Sequence, residues 1–91
     1  MNETTYTQSE NIALRTMAGE YYLIVLDAGE SKMFNLNGLG LWFWRQLEKS
    51  VTKAQLLKNM LAEYDVDSGT AAAEIDRFLA YLQERELIKN L

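Results

Sequence analysis

The sequence contains neither cysteine nor histidine. Without cysteine the chain forms no disulfides, thiolate nucleophiles, iron–sulfur clusters or thiolate zinc sites. Without histidine it lacks the usual general base and the commonest metal ligand, and its serines and threonines cannot join a histidine-dependent triad. The thirteen acidic residues are spaced like helix caps and solvated faces, not like a converging acid–base pair. The sequence therefore predicts no catalytic residues, no metal site and no cofactor.

The chain also lacks a long apolar run and an excess of positive charge. No stretch approaches the roughly 18–20 apolar residues of a membrane span, and residues 1–10 lack the apolar segment of a signal peptide. Because disulfides are absent as well, we expect a cytoplasmic protein. The net charge of −4 has the wrong sign for a dedicated nucleic-acid binder, which must neutralise phosphates. We therefore expect neither a membrane nor a nucleic acid as partner.

The remaining composition is that of one small globular domain. The chain has 91 residues, of which 48% are hydrophobic and 24% charged, enough for a thin but sufficient core. Residues 1–11 are mostly polar and offer little to bury. We therefore predict an N-terminal tail at 1–11 and a single domain at 12–91.

Three strands and three helices are predicted, in that order. Residues 12–17 and 32–36 alternate apolar and other side chains, and 21–26 is a continuous apolar run, as in strands. Short turns, at 18–20 and 27–30, require the strands to be antiparallel neighbours. Side chains suited to capping open helices that end near residues 49, 64 and 86: Asn37, Thr52, and Asp67 or Ser68. Leu87, Ile88 and Leu91 are expected to pack back on the core.

This order predicts an α+β fold, winged-helix-like, with a three-stranded antiparallel sheet followed by three helices. If 21–26 is the central strand, strand 32–36 has one free edge. Either Lys32 protects this edge from pairing with other chains, or an extended peptide binds along it as a further strand. Gly40 is expected to let the first helix approach the sheet closely. Trp44 is predicted to be core, whereas Trp42 lies on the outer side and either covers a satellite cluster or marks a contact surface.

The chain resembles the PqqD-like family, also called RiPP precursor peptide recognition elements. After a turn at 26–29 (LDAG), three segments carry the resemblance in the family's order: 34–47 (FNLNGLGLWFWRQL), 61–67 (LAEYDVD) and 75–82 (IDRFLAYL), the last followed by Leu87 and Ile88. The resemblance covers about residues 12–88. One departure is Glu86, where the family often has glycine, so we expect a longer final helix.

The resemblance implies a winged-helix-like domain that binds the leader region of a ribosomally made precursor peptide. In the family, the leader adds as a strand to the third strand and lies against the third helix. Carried over, the peptide-binding residues are Lys32, Met33, Phe34, Asn35 and Leu36 on the strand and Ile75, Asp76, Leu79, Ala80 and Gln83 on the helix. A second partner is a leader peptidase or modifying enzyme, with Trp42 as the candidate contact.

The pathway and the oligomeric state stay open. At this length the chain is similar to standalone leader-binding proteins of lasso-peptide biosynthesis, which we favour. The alternatives are the peptide chaperone of pyrroloquinoline quinone biosynthesis, which works with a radical enzyme, and a winged-helix DNA-binding regulator. We expect a monomer or a weak homodimer, the latter formed through the free edge.

Overall fold

Residues 4–26 and 31–91, which the computed structural model describes, form six strands and three helices. In chain order these are β1 Thr5–Gln8, β2 Ile12–Met17, β3 Glu20–Leu26, β4 Ser31–Leu36, α1 Gly38–Gln46, β5 Val51–Thr52, α2 Lys53–Glu63, α3 Ser68–Glu84 and β6 Ile88–Asn90. The turn predicted at 27–30 lies outside the described residues. The predicted α+β, winged-helix-like fold is confirmed.

The wing sheet consists of β2, β3 and β4, which pair antiparallel in that order. Its first hairpin turns at Ala18 and Gly19, whose φ angles of 52° and 80° both lie in the left-handed region. Two such residues suit the tight two-residue turn that matches strand twist. All three strands predicted from the sequence are therefore present, with bounds that agree to within one residue.

The two faces of the wing sheet differ in what they cover. Leu14, Leu23 and Phe34 are aligned across the three strands, and all three belong to the packed core or its margin. The next pair, Ile24 on β3 and Met33 on β4, lies on the opposite face, where Met33 is 55% exposed. The period-two alternation of a strand thus directs one face of the sheet towards the helices.

Each helix begins at the cap that the sequence predicts. The side chain of Asn37 accepts a hydrogen bond from the Gly40 amide at 2.7 Å, and Thr52 forms a capping box with Gln55. Asp67, the first of the two alternatives for α3, accepts from the Thr70 amide at 2.7 Å. These bonds satisfy amides that would otherwise lack partners in the first turn.

The longer final helix expected from Glu86 is wrong. Helix α3 ends at Glu84, and Glu86 itself takes a φ of 58°. The amide of Leu87 then donates to the carbonyl of Leu82 at 2.9 Å, as in a Schellman cap. Glu86 therefore adopts the left-handed conformation that glycine usually provides, and the helix stops there.

A second sheet, the terminal sheet, was not predicted. Strand β1 lies between β5 and β6 and pairs antiparallel with both. Tyr6, at the centre of β1, is only 8% exposed. The tail predicted at 1–11 is therefore wrong for Thr5–Gln8, because pairing with strands distant in the chain buries a segment that is polar apart from one tyrosine.

The core joins both sheets to the helices. Phe43, Leu47, Leu56 and Leu82 from the helical half are fully buried, as is Leu23 from the wing sheet. Leu87 and Ile88 are buried as predicted, whereas Leu91 is 65% exposed and the prediction for it is wrong. Within the described residues no helix has the length and apolar character needed to cross a membrane.

Candidate functional site

Strand β4 is an edge strand of the wing sheet, and its free backbone groups can be assigned. The amide of Leu26 donates to the carbonyl of Asn11 at 2.7 Å, so the backbone groups of Leu26 and of every second residue before it face β2. The intervening residues of β3 therefore bond to β4.

The same alternation continues into β4. Phe34 is the partner of Leu23, so its amide and carbonyl point inward to β3. The backbone groups of Met33 and Asn35 consequently point away from the sheet. An edge that presents such groups is a template for a further strand.

A cavity of about 410 Å³ lies where β4 runs into α1, with α3 as its far wall, and its lining is part apolar and part polar. Its lining residues come from these three elements and from the cap residue between β4 and α1: Asn35, Leu36, Asn37, Leu39, Gly40, Glu74, Arg77, Phe78 and Tyr81. A strand added to β4 would have this cavity beside it. The edge and the cavity therefore form one candidate site.

The wall on α3 is held by stacked aromatic rings. The Phe78 ring stacks on Phe43, with centroids 4.7 Å apart and planes 12° apart, and Tyr81 follows at 5.8 Å. The Arg85 guanidinium lies 3.7 Å from the centroid of the Tyr81 ring, a cation–π contact. Because Phe43 is fully buried, the wall is anchored in the core.

Gly40 opens the floor of the cavity. A Cβ at this position would lie 3.2 Å from Phe78 Cζ and 3.2 Å from Leu36 Cδ2. The predicted close approach of α1 to the sheet is confirmed, since a side chain here would require its neighbours to shift by a few tenths of an ångström. The absence of a side chain at Gly40 therefore allows α1 to pack closely and leaves the cavity open at this point.

The rim of the cavity carries one charge of each sign. Glu74 and Arg77, one helical turn apart on α3, form an ion pair, in which the Arg77 side chain is largely exposed. Such an exposed pair adds little stability. Its two charges largely offset each other at the cavity mouth.

The α3 residues predicted to meet the peptide differ from the α3 residues that line the cavity. Ile75 and Leu79 are each only 2% exposed and belong to the core. Asp76 faces α2, where its carboxylate lies 2.9 Å from the Lys53 ammonium and raises the pKa of Lys53. These three residues do not line the cavity, and their contact with a peptide stays a prediction.

The two remaining predicted helix residues also lie away from the cavity. Gln83 hydrogen-bonds to Asn90 on β6, and Ala80 is exposed. The residues that do line it were missed: Glu74, Arg77, Phe78 and Tyr81. The aromatic pair at i and i+3 was the signal that could have found this face.

Trp42 is half-buried rather than exposed on the outer side. Its indole N–H donates to Glu63 near the end of α2, and its ring meets the edge of Tyr64 with centroids 5.6 Å apart. The structure therefore favours the alternative in which Trp42 covers a satellite cluster. Trp44 is buried in the core, as predicted.

The described residues hold no group of three or more acidic side chains close enough to bind a metal ion. Fold and site together define a small winged-helix-like domain with an open sheet edge beside a cavity that has an aromatic wall. The chain belongs to the family described as Coenzyme PQQ synthesis protein D (PqqD), whose sequence profile matches residues 22–88. The resemblance found in the sequence is thus confirmed.

A solved structure is similar to this chain over nearly the whole domain. It is described as "TbiB1 in Complex with the TbiA(beta) Leader Peptide", is 26% identical, and superposes with a TM-score of 0.76. The match covers 91% of this chain and 94% of that chain. No curated protein matches the sequence.

Proposed function

We propose that this protein binds the leader region of a ribosomally made precursor peptide as an added strand on β4. It acts as an adaptor that presents the peptide to a leader peptidase or modifying enzyme and performs no chemical step itself. The observation that carries the proposal is the outward-facing backbone of Met33 and Asn35 beside the cavity. Family membership and the similarity to a leader-bound protein support it.

Backbone pairing supplies affinity that does not depend on the leader's sequence. Met33 and Asn35 each offer one donor and one acceptor, and a ladder hydrogen bond contributes about 0.5–1.5 kcal/mol net. Selectivity comes from the cavity, because fully burying one Leu- or Phe-sized side chain contributes about 1.5–3 kcal/mol. This division between backbone and side chain is the usual one in strand addition.

Holding the leader raises the effective concentration of the precursor at a partner enzyme. We propose the lasso-peptide pathway. The genes beside this one test the pathway. A short precursor gene next to a transglutaminase-like protease and an asparagine-synthetase-like cyclase supports it, whereas a radical-enzyme partner contradicts it.

The edge is tested by removing one outward-facing amide. Met33→Pro deletes a donor that β3 does not use, and proline is tolerated on an edge strand whose N–H faces solvent. Phe34→Pro is unsuitable, because its amide serves the pairing with β3. We expect Met33→Pro to weaken binding of a fluorescent leader peptide by at least about threefold in polarisation titrations, since a hydrogen bond is lost and the proline ring obstructs the approaching strand.

The matched control is Thr16→Pro on the other free edge of the wing sheet. Thr16 is exposed, and its amide faces away from β3 by the same alternation. Thr16→Pro should bind the leader like the wild type. Equal affinities for Met33→Pro and wild type, with both proteins folded by circular dichroism, would contradict the proposal.

A further inference from the structure

The inner face of β4 presents three different environments along its length. Lys32, Phe34 and Leu36 share this face, because their partners on β3 all pack at the core or its margin: Val25, Leu23 and Tyr21. Leu36 is buried and lines the cavity, Phe34 is half-buried, and Lys32 is exposed. The face thus runs from apolar to charged, from the cavity end of the strand towards its start.

A peptide strand that pairs with β4 presents alternate side chains beside these three residues, because side chains on one face recur every second position. Antiparallel addition continues the pattern of the wing sheet and is the more stable pairing per residue. From its N to its C terminus, the peptide then lies opposite Leu36 and the cavity first, opposite Phe34 next and opposite Lys32 last. Its order from N to C terminus is the reverse of that of β4.

We infer that the leader carries the pattern apolar–x–apolar–x–acidic, with the first apolar side chain in the cavity and the acidic one opposite Lys32. This inference rests on the proposed function and names the class of leader sequence that the site selects. The side chains at the intervening positions lie on the opposite face of the sheet and do not contact Lys32, Phe34 or Leu36.

The charge selection is assigned to Lys32 because, among the residues that the structure describes at the site, the two charges at the cavity rim offset each other. Glu74 and Arg77 are paired at the cavity rim, so neither sign of leader charge is favoured there. An opposite charge directly across from Lys32 stabilises an antiparallel pair, and a like charge destabilises it. Lys32 therefore selects both the charge and the register of the peptide.

The test uses synthetic strand-forming peptides rather than a natural leader. The probe is a fluorescein-labelled, threonine-based peptide with the central sequence Tyr-Thr-Leu-Thr-Glu, compared with the same peptide ending in Lys and with the reversed order Glu-Thr-Leu-Thr-Tyr. Each is titrated against wild type and Lys32→Glu at low salt. Lys58→Glu, an exposed change on α2 outside the cavity lining, is the control of equal charge.

We expect the wild type to prefer the Glu peptide over the Lys peptide by about threefold to fivefold, the scale of a cross-strand charge pair. Lys32→Glu should reverse that preference and Lys58→Glu should retain it, and added salt should reduce it. Equal binding of the Glu and Lys peptides to wild type, or tighter binding of the reversed peptide, would overturn the pattern while leaving strand addition in place. Binding of none of the peptides would overturn the pattern and count against strand addition itself.

Discussion

The two sheets of this protein are both three-stranded and antiparallel, yet they differ in what their strands connect. The wing sheet joins strands that are neighbours in sequence and exposes the β4 edge. The terminal sheet joins β1 to β5 and β6, which are far away in the chain. The terminal sheet therefore closes the fold, whereas the wing sheet supplies the binding edge.

This difference suggests that stability and binding can be altered separately. Tyr6 on β1 lies in the core, but it does not line the cavity beside β4. Met33 on β4 is exposed and contributes an outward-facing backbone. Changes in the terminal sheet should lower the free energy of unfolding, and changes at the β4 edge should lower affinity for the peptide.

The largest expected effect is that of Tyr6→Ala on stability. Removing a buried aromatic ring should lower the free energy of unfolding by about 3 kcal/mol, as measured by urea denaturation. The matched change in the wing sheet, Met33→Ala, should alter it by less than about 0.5 kcal/mol because the side chain is exposed. If Tyr6→Ala left stability unchanged, or abolished peptide binding in the folded fraction, the separation of roles would be wrong.

A smaller effect, and one that spans both roles, is expected for Gly40→Ala. The added Cβ would lie 3.2 Å from Phe78 Cζ, Leu36 Cδ2 and Asn37 Oδ1, so these groups must shift by a few tenths of an ångström and the cavity becomes smaller. We expect weaker leader binding by isothermal titration calorimetry at a temperature where the variant is folded. Gly38→Ala is the control in the same helix, because its Cβ would meet nothing within 4 Å. Equal leader affinity for Gly40→Ala and wild type would show that the cavity does not receive the peptide.

The smallest expected effect is on the pH dependence of stability, and it arises from the cap of α3, outside both sheets. The Thr70 backbone amide donates to Asp67 and lowers the pKa of its carboxyl below the ordinary 3.8. The charged cap therefore stabilises the fold above about pH 3.8 and is lost as the pH falls through the lowered pKa. Thermal unfolding between pH 6 and 2 should show this loss in the wild type. Asp67→Ser, which keeps a cap without a titrating group, should show less of it; an identical pH profile would contradict the assignment.

The same comparison explains what could be predicted from the sequence. The wing strands carry clear alternation or a continuous apolar run over 12–17, 21–26 and 32–36, and short turns determine their pairing. In the terminal sheet, β5 has two residues and β6 three, and Tyr6 is the only apolar side chain of β1. Such short segments carry no periodic signal, since their pairing depends on the rest of the fold.

The sequence predicted the strand edge of the candidate site but not the α3 residues that line the cavity. The edge at 32–36 follows from strand order, which the sequence contains. The rotation of α3 about its axis does not, because Ile75, Phe78 and Leu79 are all apolar and any two could form the core stripe. Only packing against α1, where Phe78 stacks on Phe43, decides that Phe78 and Tyr81 face the cavity.

Amide hydrogen exchange, measured by NMR with and without bound leader, tests strand addition on β4 most directly. The account predicts that leader binding slows exchange at the amides of Met33 and Asn35, which have no partner on β3, because new ladder hydrogen bonds form there. The amides of Leu14 and Thr16, which face the other free edge, should exchange at unchanged rates. Slowed exchange on β2, or unchanged exchange at Met33 and Asn35 in the saturated complex, would contradict the account.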